Sequence, residues 1–327
     1  MFNLCIHIIS SRTAALEKSL ISFYNYFNKY YNFPVYIYYF DDIYSKDFVI
    51  KLRESIDINF KQFLIDKNQN CKIFFKQVDY GLPTTNCEYK DLFFIKNNPQ
   101  QPNRIGYLHM CSFWSNYYYY PGTEYNKYDL AFNFDDDSLW TANFPIENIN
   151  TLIEQKDKKV LCFNCYKYPV NHRSKSVRVG LSTLIKYYCK KYNVEPKTDY
   201  LKNLLEFPLG SATTQEINFF QTNCVCYDTN ITKLEIFETQ EYKNWIYEVN
   251  LSRGIYKNRW GDNEIFSIFV DLHFEDAVIK LSDIKQAAGI VTEYIDPSAL
   301  RNLNGTYAPG VKYNRQMANK QLQTLYN

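Results

Sequence analysis

Three consecutive carboxylates, Asp135, Asp136 and Asp137, follow directly on the apolar run from Leu130 to Phe134. Adjacent acids repel one another and raise each other's pKa unless a positive charge intervenes, and a divalent cation is the obvious neutraliser. The apolar run has the pattern of a buried strand, and the ligands of open α/β sheets collect at the carboxyl ends of strands. The acids are therefore candidate ligands of a metal. A solvated surface loop is the alternative for such a run of charges.

A second candidate site follows the first predicted strand. Residues 3 to 9 form an apolar run, Ser10, Ser11 and Arg12 come next, and helical periodicity begins at Thr13. A strand, a polar loop with one Arg and then a helix is a common arrangement for receiving a nucleotide at a sheet edge. Ser10 and Arg12 are therefore candidate nucleotide contacts, with an ordinary strand-to-helix loop as the alternative.

Alternating strand and helix patterns must position these residues. Strands are predicted over 3–9, 35–40, 71–75, 130–134, 159–164 and 223–228, and helices over 13–30, 48–65, 105–120, 146–155, 181–192, 234–249 and 264–272. Such alternation predicts an α/β fold with a largely parallel sheet. Apolar spacing is lost near Pro297, so we predict one domain over 1–296 and a polar tail over 297–327.

Composition narrows the class of protein. The 327 residues are 46% hydrophobic and 22% charged, which is enough to bury a sizeable core. A formal net charge of +2 gives no electrostatic reason to expect a nucleic-acid partner. No run reaches the roughly 18 apolar residues that span a bilayer, and the N-terminus lacks a signal-peptide pattern, so we expect no transmembrane segment and no secretion. The nine cysteines are then expected to be reduced and buried, with a zinc site at Cys162 and Cys165 as the alternative.

Several motifs surround the acidic triplet, which itself has the DxD pattern with which nucleotide-sugar transferases hold Mn²⁺ or Mg²⁺. They are the segment YLHMC from Tyr107, then Pro121, then the YD at Tyr128. These motifs resemble those of the fungal α-1,2-mannosyltransferases, glycosyltransferase family 15. The segment YLHMC resembles the family's YRHMC, and Pro121 corresponds to a proline that follows it. The YD together with the acidic triplet resembles the family's YDYYWRVEPDV. Downstream, YKYP from Tyr166 resembles the family's YEYP, and RWGD from Arg259 resembles its ERWGD. The matches keep their order from about residue 3 to residue 285.

The resemblance implies a GT-A fold, with a Rossmann-like mixed central sheet flanked by helices, a nucleoside-diphosphate-sugar donor and a divalent metal. Residue by residue, it implies metal binding by Asp135 and Asp137, donor binding by Ser10, Arg12, Asp135 and Asp136, catalytic roles for Asp262 and Asn230, and acceptor binding by Tyr89, Tyr107 and Trp260.

Three positions depart from the family pattern. Phe266 stands where the family has a metal-binding His, Asn133 where it has an Arg, and Asn230 where it has the Glu offered as nucleophile. Because an amide is a poor nucleophile, we expect front-face displacement rather than a covalent glycosyl-enzyme. Asn230 is then expected to stabilise the developing oxocarbenium ion.

We therefore expect a retaining glycosyltransferase that uses Mn²⁺ or Mg²⁺ and moves mannose, or another hexose or pentose, from a GDP- or UDP-linked donor to a glycan or glycoprotein. A catalytically degenerate glycan- or nucleotide-binding protein of the same fold is the alternative. A phosphatase or nuclease would need a second acidic or His cluster. The abundance of Tyr (31) and Phe (24) indicates AT-rich coding, as in a large DNA virus or a protist, and we expect a cytoplasmic location, in the host cytoplasm or virus factory if viral.

Overall fold

The computed structural model describes residues 2–10, 13–40, 62, 72–78, 105–117, 123–136, 138–140, 143–163, 165–167, 180–206, 225–227, 229–280 and 293–294. The strands in these ranges are β1 (Leu4–Ile9), β2 (Val35–Phe40), β3 (Ile73–Val78), β4 (Leu130–Asn133), β5 (Ser138–Leu139), β6 (Val160–Cys162), β7 (Cys165–Lys167), β8 (Val225–Tyr227), β9 (Asn230–Lys233), β10 (Val278–Lys280) and β11 (Glu293–Tyr294). The main helices are α1 (Thr13–Phe23), α2 (Ile105–Asn116), α3 (Glu147–Glu154), α4 (Leu181–Tyr192), α5 (Asp199–Glu206), α6 (Glu235–Glu238), α7 (Gln240–Ser252), α8 (Gly254–Asn258) and α9 (Asp262–His273). A π-helical turn (Tyr24–Asn28) and a short α-helical turn (Lys29–Tyr31) follow α1, and a 3-10 turn (Tyr125–Lys127) precedes β4.

A mixed sheet runs through the centre of the fold in the order β10-β6-β9-β4-β1-β2-β3. The pairs β1–β2, β2–β3, β1–β4 and β10–β6 are parallel, whereas β9 is antiparallel to both of its neighbours, β4 and β6. Two short antiparallel pairs, β5–β11 and β7–β8, lie outside this sheet. The predicted α/β class with a mixed sheet is confirmed.

Hydrophobic side chains cover both faces of the sheet, because the strands alternate their side chains between the two faces. On one face, Leu130 and Phe132 of β4 pack in a core with α1 and α3. On the other face, Ala131 packs in a second core with α2, α4, α5, α7 and α9. Each strand at the centre of the sheet is therefore covered by helices from both sides, as expected for a largely parallel sheet.

β1 carries a buried histidine that belongs to the second core. The Nε2 atom of His7 lies 2.7 Å from Cys5 Sγ and 3.0 Å from the hydroxyl of Tyr117. Its ring is fully buried, and this burial lowers its pKa to about 3. His7 is thus a neutral core residue whose ring nitrogen has polar partners within hydrogen-bond distance.

Some predicted elements differ from the observed ones. The helix predicted over 234–249 is broken at Thr239, whose side-chain oxygen accepts a hydrogen bond from Tyr242 N at 3.2 Å and so caps α7. β9, α5, α8 and β10 were not predicted. The helix predicted over 48–65, apart from position 62, and the tail predicted over 297–327 lie outside the described residues. In the described part of the chain, no helix is both long enough and apolar enough to cross a membrane.

Candidate active site

A small open pocket lies at the carboxyl end of β4, between the sheet and the first turn of α9. Its cavity volume is about 60 Å³, which is room for several water molecules. Side chains from β4, β9, α2, α6 and α9 surround it, namely Trp114, Asn133, Phe134, Asp135, Asn230, Thr232, Phe237, Asp262, Asn263 and Phe266. The pocket therefore brings together Asp135, Asn230 and Asp262, three of the residues expected to carry function.

Strand periodicity explains the sheet side of the pocket. Ala131 belongs to the core beneath α2 and α9, so Asn133 and Asp135, two and four residues later, continue on the same face. Antiparallel pairing then places Asn230 of β9 directly opposite Asn133, and Thr232 opposite Ala131. The acidic triplet thus begins where β4 ends, with Asp135 in the pocket.

The first turn of α9 forms the facing wall. Asp262 is the first residue of this helix and lines the pocket with Asn263 and Phe266. Phe266 lies one helical turn after Asp262 and Asn263, so the three side chains share a face of α9. The N-terminus of a helix carries a partial positive charge that stabilises an acidic side chain in its first turn. Asp262 is therefore placed by the start of α9 to face Asp135 across the pocket.

Hydrogen bonds fix the two facing asparagines. The Thr232 hydroxyl donates to Asn230 Oδ1 at 2.8 Å, and Asn133 Nδ2 donates to the same oxygen at 3.5 Å. Asn133 Oδ1 is buried and accepts no hydrogen bond. The pocket wall thus contains one amide oxygen that is engaged twice and one that has no donor.

Asp136 faces away from the pocket residues. It is 4% exposed, and its Oδ2 accepts a hydrogen bond of 2.7 Å from the hydroxyl of Ser10, which is equally buried. Because these residues follow β4 and β1, the bond joins the carboxyl ends of two neighbouring strands. Ser10 and Asp136 are therefore brought together beside the pocket rather than in its lining.

The remaining predicted site residues are placed as follows. Tyr107 of α2 is 38% exposed, and the guanidinium of Arg259 lies 4.9 Å from the centre of its ring. Trp260 is 2% exposed and belongs to the core, so it supports the site from beneath. Arg12, Tyr89 and Asp137 lie outside the described residues.

His109 in the YLHMC segment packs between helices. Its Nδ1 atom lies 2.9 Å from the hydroxyl of Tyr256 in α8, and burial lowers its pKa to about 4. The contact with Tyr256 favours helix packing.

The donor atoms of the pocket fit a hard cation. Asp135 and Asp262 offer carboxylate oxygens, and the lining residues that the structure describes include neither a thiol nor an imidazole, a set that suits Mn²⁺ or Mg²⁺ better than Zn²⁺. No three His, Cys, Asp or Glu side chains of the described residues are grouped closely enough to hold a metal by themselves. Cys162 is a buried free thiol, and the Cys165 side chain lies outside the described residues.

The fold was compared with known proteins. No protein-family model matches the chain, and no curated protein does. Among solved structures, core-mannan synthase A from Aspergillus fumigatus, in its Mn/GDP form, matches with a TM-score of 0.65 at 14% identity, over 90% of this chain and 75% of that chain. The mannosyltransferase Ktr4p from S. cerevisiae in complex with GDP matches with a TM-score of 0.65 at 15% identity, over 94% of this chain and 77% of that chain.

This chain has the GT-A fold. Both neighbours are family 15 mannosyltransferases, the family that the sequence motifs resemble, so the predicted resemblance and fold are confirmed. At such low sequence identity the likeness establishes the fold.

Sequence reasoning did not identify several pocket residues. Trp114, Thr232, Phe237 and Asn263 were not singled out. Thr232 follows Asn230 with the period of a strand, and Asn263 follows Asp262 in the first turn of α9. Both would have been found had β9 and the start of α9 been predicted at their observed positions.

Proposed function

We propose that this chain is a metal-dependent, retaining glycosyltransferase that moves mannose, or another hexose or pentose, from a nucleoside-diphosphate sugar to a glycan or glycoprotein. The observation that carries the proposal is the pocket itself, where Asp135, Asp262 and Asn230 meet at the carboxyl end of β4 in a GT-A fold. We assign the activity to one domain over 1–296. The cytoplasmic location stays a prediction.

The charge of the pocket supports the need for a cation. Two of its lining residues are acidic, and none of those that the structure describes there is basic. A diphosphate would be repelled from such a wall unless a cation lay between them. Asp135 and Asp137 are the proposed ligands of Mn²⁺ or Mg²⁺, which when bound neutralises the charge of the departing diphosphate. The neighbour crystallised in a Mn/GDP form supports this choice of ion and ligand class.

Asn230 has no oxygen lone pair readily available for attack. Its Oδ1 already accepts hydrogen bonds from Thr232 and Asn133, and an amide oxygen is a weak nucleophile even when unengaged. These contacts support displacement on the front face, in which the acceptor hydroxyl attacks the sugar carbon as the diphosphate leaves and takes up the proton. Asn230 is then proposed to line the reacting face of the pocket and to stabilise the developing oxocarbenium ion.

Asp262 and the residues around it are proposed to receive the acceptor. Asp262 faces Asp135 from the first turn of α9, and Tyr107 presents a partly exposed ring beside Arg259. Aromatic faces with adjacent charged groups suit the mixed apolar and hydroxyl surface of a sugar. Trp260 supports Asp262 from the core, and Tyr89 remains a proposed acceptor contact. At the other end, Ser10, Arg12 and Asp136 are proposed to bind the nucleotide end of the donor.

A donor screen tests the proposed function. The purified protein would be incubated with GDP- and UDP-sugars, with and without Mn²⁺, and release of the nucleoside diphosphate measured. We expect release that needs metal in the wild type and falls at least a hundredfold in Asp135→Asn, about 2.7 kcal/mol of transition-state stabilisation. Asp199→Asn is the matched control, because the Asp199 side chain is 94% exposed. Unchanged turnover in Asp135→Asn would contradict the proposal.

A degenerate binding protein of the same fold is the second candidate. Phe266 lines the pocket at the position where the family pattern has a metal-binding His, and Asn133 and Asn230 form a neutral pair in the pocket wall. Calorimetry with GDP and UDP, each with and without Mn²⁺, separates the two candidates. Metal-dependent binding of a nucleotide without turnover of any donor in the screen would favour the binding protein.

A further inference from the structure

Asn133 Oδ1 is the most conspicuous polar atom of the pocket wall. It is buried, accepts no hydrogen bond and belongs to a residue that lines the pocket. Buried polar atoms are normally paired, and an unpaired one in a folded protein calls for a ligand or a strained conformation to explain it. The atom is a carbonyl oxygen, so it can only accept.

Neighbouring groups fix the direction in which this oxygen points. Asn230 Oδ1 accepts from the Thr232 hydroxyl at 2.8 Å and from Asn133 Nδ2 at 3.5 Å, across a register that sets the two asparagines opposite each other. If the Asn133 amide were turned over, its oxygen would face the Asn230 oxygen, and two acceptors would confront each other. In this arrangement Thr232 and Asn230 hold the Asn133 amide through its Nδ2 atom, which leaves Asn133 Oδ1 without a donor.

The chemistry of the pocket limits what that oxygen can meet. Phosphate oxygens are acceptors too, so a diphosphate cannot pair with it directly. A sugar hydroxyl donates a hydrogen bond and fits a small polar pocket that also holds Asp262 and Asn263. In the resemblance to family 15, Arg stands at this position, and Arg has donors only. Asn133 therefore adds an acceptor at a position where the family pattern has only donors.

We propose that Asn133 determines donor specificity by accepting a hydrogen bond from one hydroxyl of the transferred sugar. This role rests on the proposed glycosyltransferase function and assigns recognition of a sugar hydroxyl of the donor to Asn133. A site built to pair a substrate hydroxyl rejects analogues that lack it, because its own polar atom is then left buried and unpaired. For this hydrogen bond Asn230 and Thr232 act as positioning residues, since their contacts hold the Asn133 amide.

Calorimetry with Mn²⁺ tests this on the intact chain. The probes are GDP and UDP, and GDP-mannose and UDP-glucose as the matching sugar donors. In Asn133→Leu we expect affinity for the nucleoside diphosphate to stay within about twofold, while affinity for the nucleotide sugar falls about tenfold, the fold-change of one lost hydrogen bond. Thr232→Val should lose about threefold, because Asn133 is then less firmly held.

A deoxy-sugar cycle identifies the hydroxyl. Mono-deoxy analogues of the donor that binds would be titrated into the wild type and into Asn133→Leu. One deoxy analogue should bind the wild type more weakly than the parent donor does. No analogue should bind Asn133→Leu more weakly than the parent donor, because that variant already lacks the hydrogen bond. Thermal unfolding serves as the folding readout, and replacing an unpaired buried oxygen by an apolar group should not lower the midpoint. If Asn133→Leu fails to fold, Asn133→Ala replaces it.

The outcomes separate this inference from the function on which it rests. If the wild type binds no nucleotide with Mn²⁺, the proposed function fails and the inference falls with it. If the wild type binds the nucleotide sugar and Asn133→Leu binds it equally well, only the role of Asn133 is overturned. An equal loss for nucleotide and nucleotide sugar, or a higher Mn²⁺ requirement, would also overturn it, because the residue would then act on the metal or the diphosphate.

Discussion

Phe266 gives the pocket an apolar wall beside its acids. Its ring stacks on Phe237 with centroids 5.5 Å apart and planes 24° from parallel, and both rings line the pocket. An aromatic carbon cannot bind a cation in the manner of an imidazole nitrogen, so oxygen atoms must supply the ligands of any metal here. The strength of metal binding should therefore respond to this one side chain.

Phe266→His should strengthen metal binding. An added nitrogen ligand facing Asp135 is expected to lower the Mn²⁺ concentration for half-saturation about tenfold, or about 1.4 kcal/mol. The gain should fade below about pH 6.5, because a protonated imidazole cannot ligate. Electron paramagnetic resonance of free Mn²⁺ in a titration measures it. Phe266→Leu controls for the lost ring contact with Phe237, and equal Mn²⁺ affinity in the His and Leu variants would contradict the expectation.

Ser10 and Asp136 should matter for stability. Ser10→Ala and Asp136→Ala each remove their buried 2.7 Å hydrogen bond, so either should lower the free energy of unfolding by about 1–3 kcal/mol. Because the two residues touch, the double variant should lose less than the sum of the single variants. Urea unfolding of the four proteins measures the coupling, and strictly additive losses would argue against the bond.

At the scale of elements, the start of α9 depends on how α8 packs. The indole of Trp260 lies directly against Gly254, so a Cβ at that position would collide with the ring system. Trp260 also immediately precedes Gly261, the N-cap of α9, and Asp262 follows. The contact between Gly254 and Trp260 therefore fixes where α9 begins and where Asp262 points.

Gly254→Ala should be destabilising and should weaken function. Overpacking against the buried indole is expected to cost about 1–3 kcal/mol, and a displaced α9 would carry Asp262 out of place. Thermal unfolding and the donor-release assay measure the two effects. Gly180→Ala is the control, since a Cβ there meets Trp260 only at 3.8 Å and the cost comes from its positive φ of 79°, about 1 kcal/mol. Equal effects of the two substitutions would contradict the packing argument.

The sequence predicted the strands whose apolar runs are buried on both faces, such as β1 and β4, and most helices with a clear apolar stripe. β9 was missed because the pocket requires polar residues on it: Asn230 and Thr232 interrupt the apolar pattern that marks a central strand. Asp135 was found from the acidic triplet itself, whereas Asp262 was found only through a family motif and the orphaned oxygen of Asn133 could not be found at all. Which amide atom lacks a partner depends on cross-strand register, which local sequence does not specify.

At the scale of the whole molecule, buried titratable groups couple stability to pH. Burial lowers the pKa of His7 to about 3 and those of His109 and His273 to about 4. Their contribution to stability is complete above the ordinary pKa of about 6.5 and is lost as the pH falls towards the folded values. Asp271 acts with the opposite sign, since burial raises its pKa to about 6 and its folded carboxyl binds a proton before the unfolded one does.

Acid should therefore unfold this protein early. Between about pH 6 and pH 4, unfolding lets the three histidines bind about three protons and makes Asp271 release about one. The net uptake of about two protons means that the free energy of unfolding should fall by about 3 kcal/mol per pH unit. Urea midpoints measured by circular dichroism at successive pH values test the slope. His273→Gln should remove about one proton from it, whereas exchange of an exposed acid such as Glu147→Gln should not. A constant midpoint from pH 7 to pH 5 would refute the coupling.

The insertion of β9 between β4 and β6 also bears on how the chain is made. β9 pairs with strands roughly 70 and 100 residues before it, and such distant contacts slow folding. Until residues 230–233 leave the ribosome, β4 and β6 each lack the partner strand that lies between them, and unpaired strand edges invite association with other chains. We expect the nascent chain to need a chaperone during this interval, and nucleotide binding to return only in the last and slowest phase of refolding from urea.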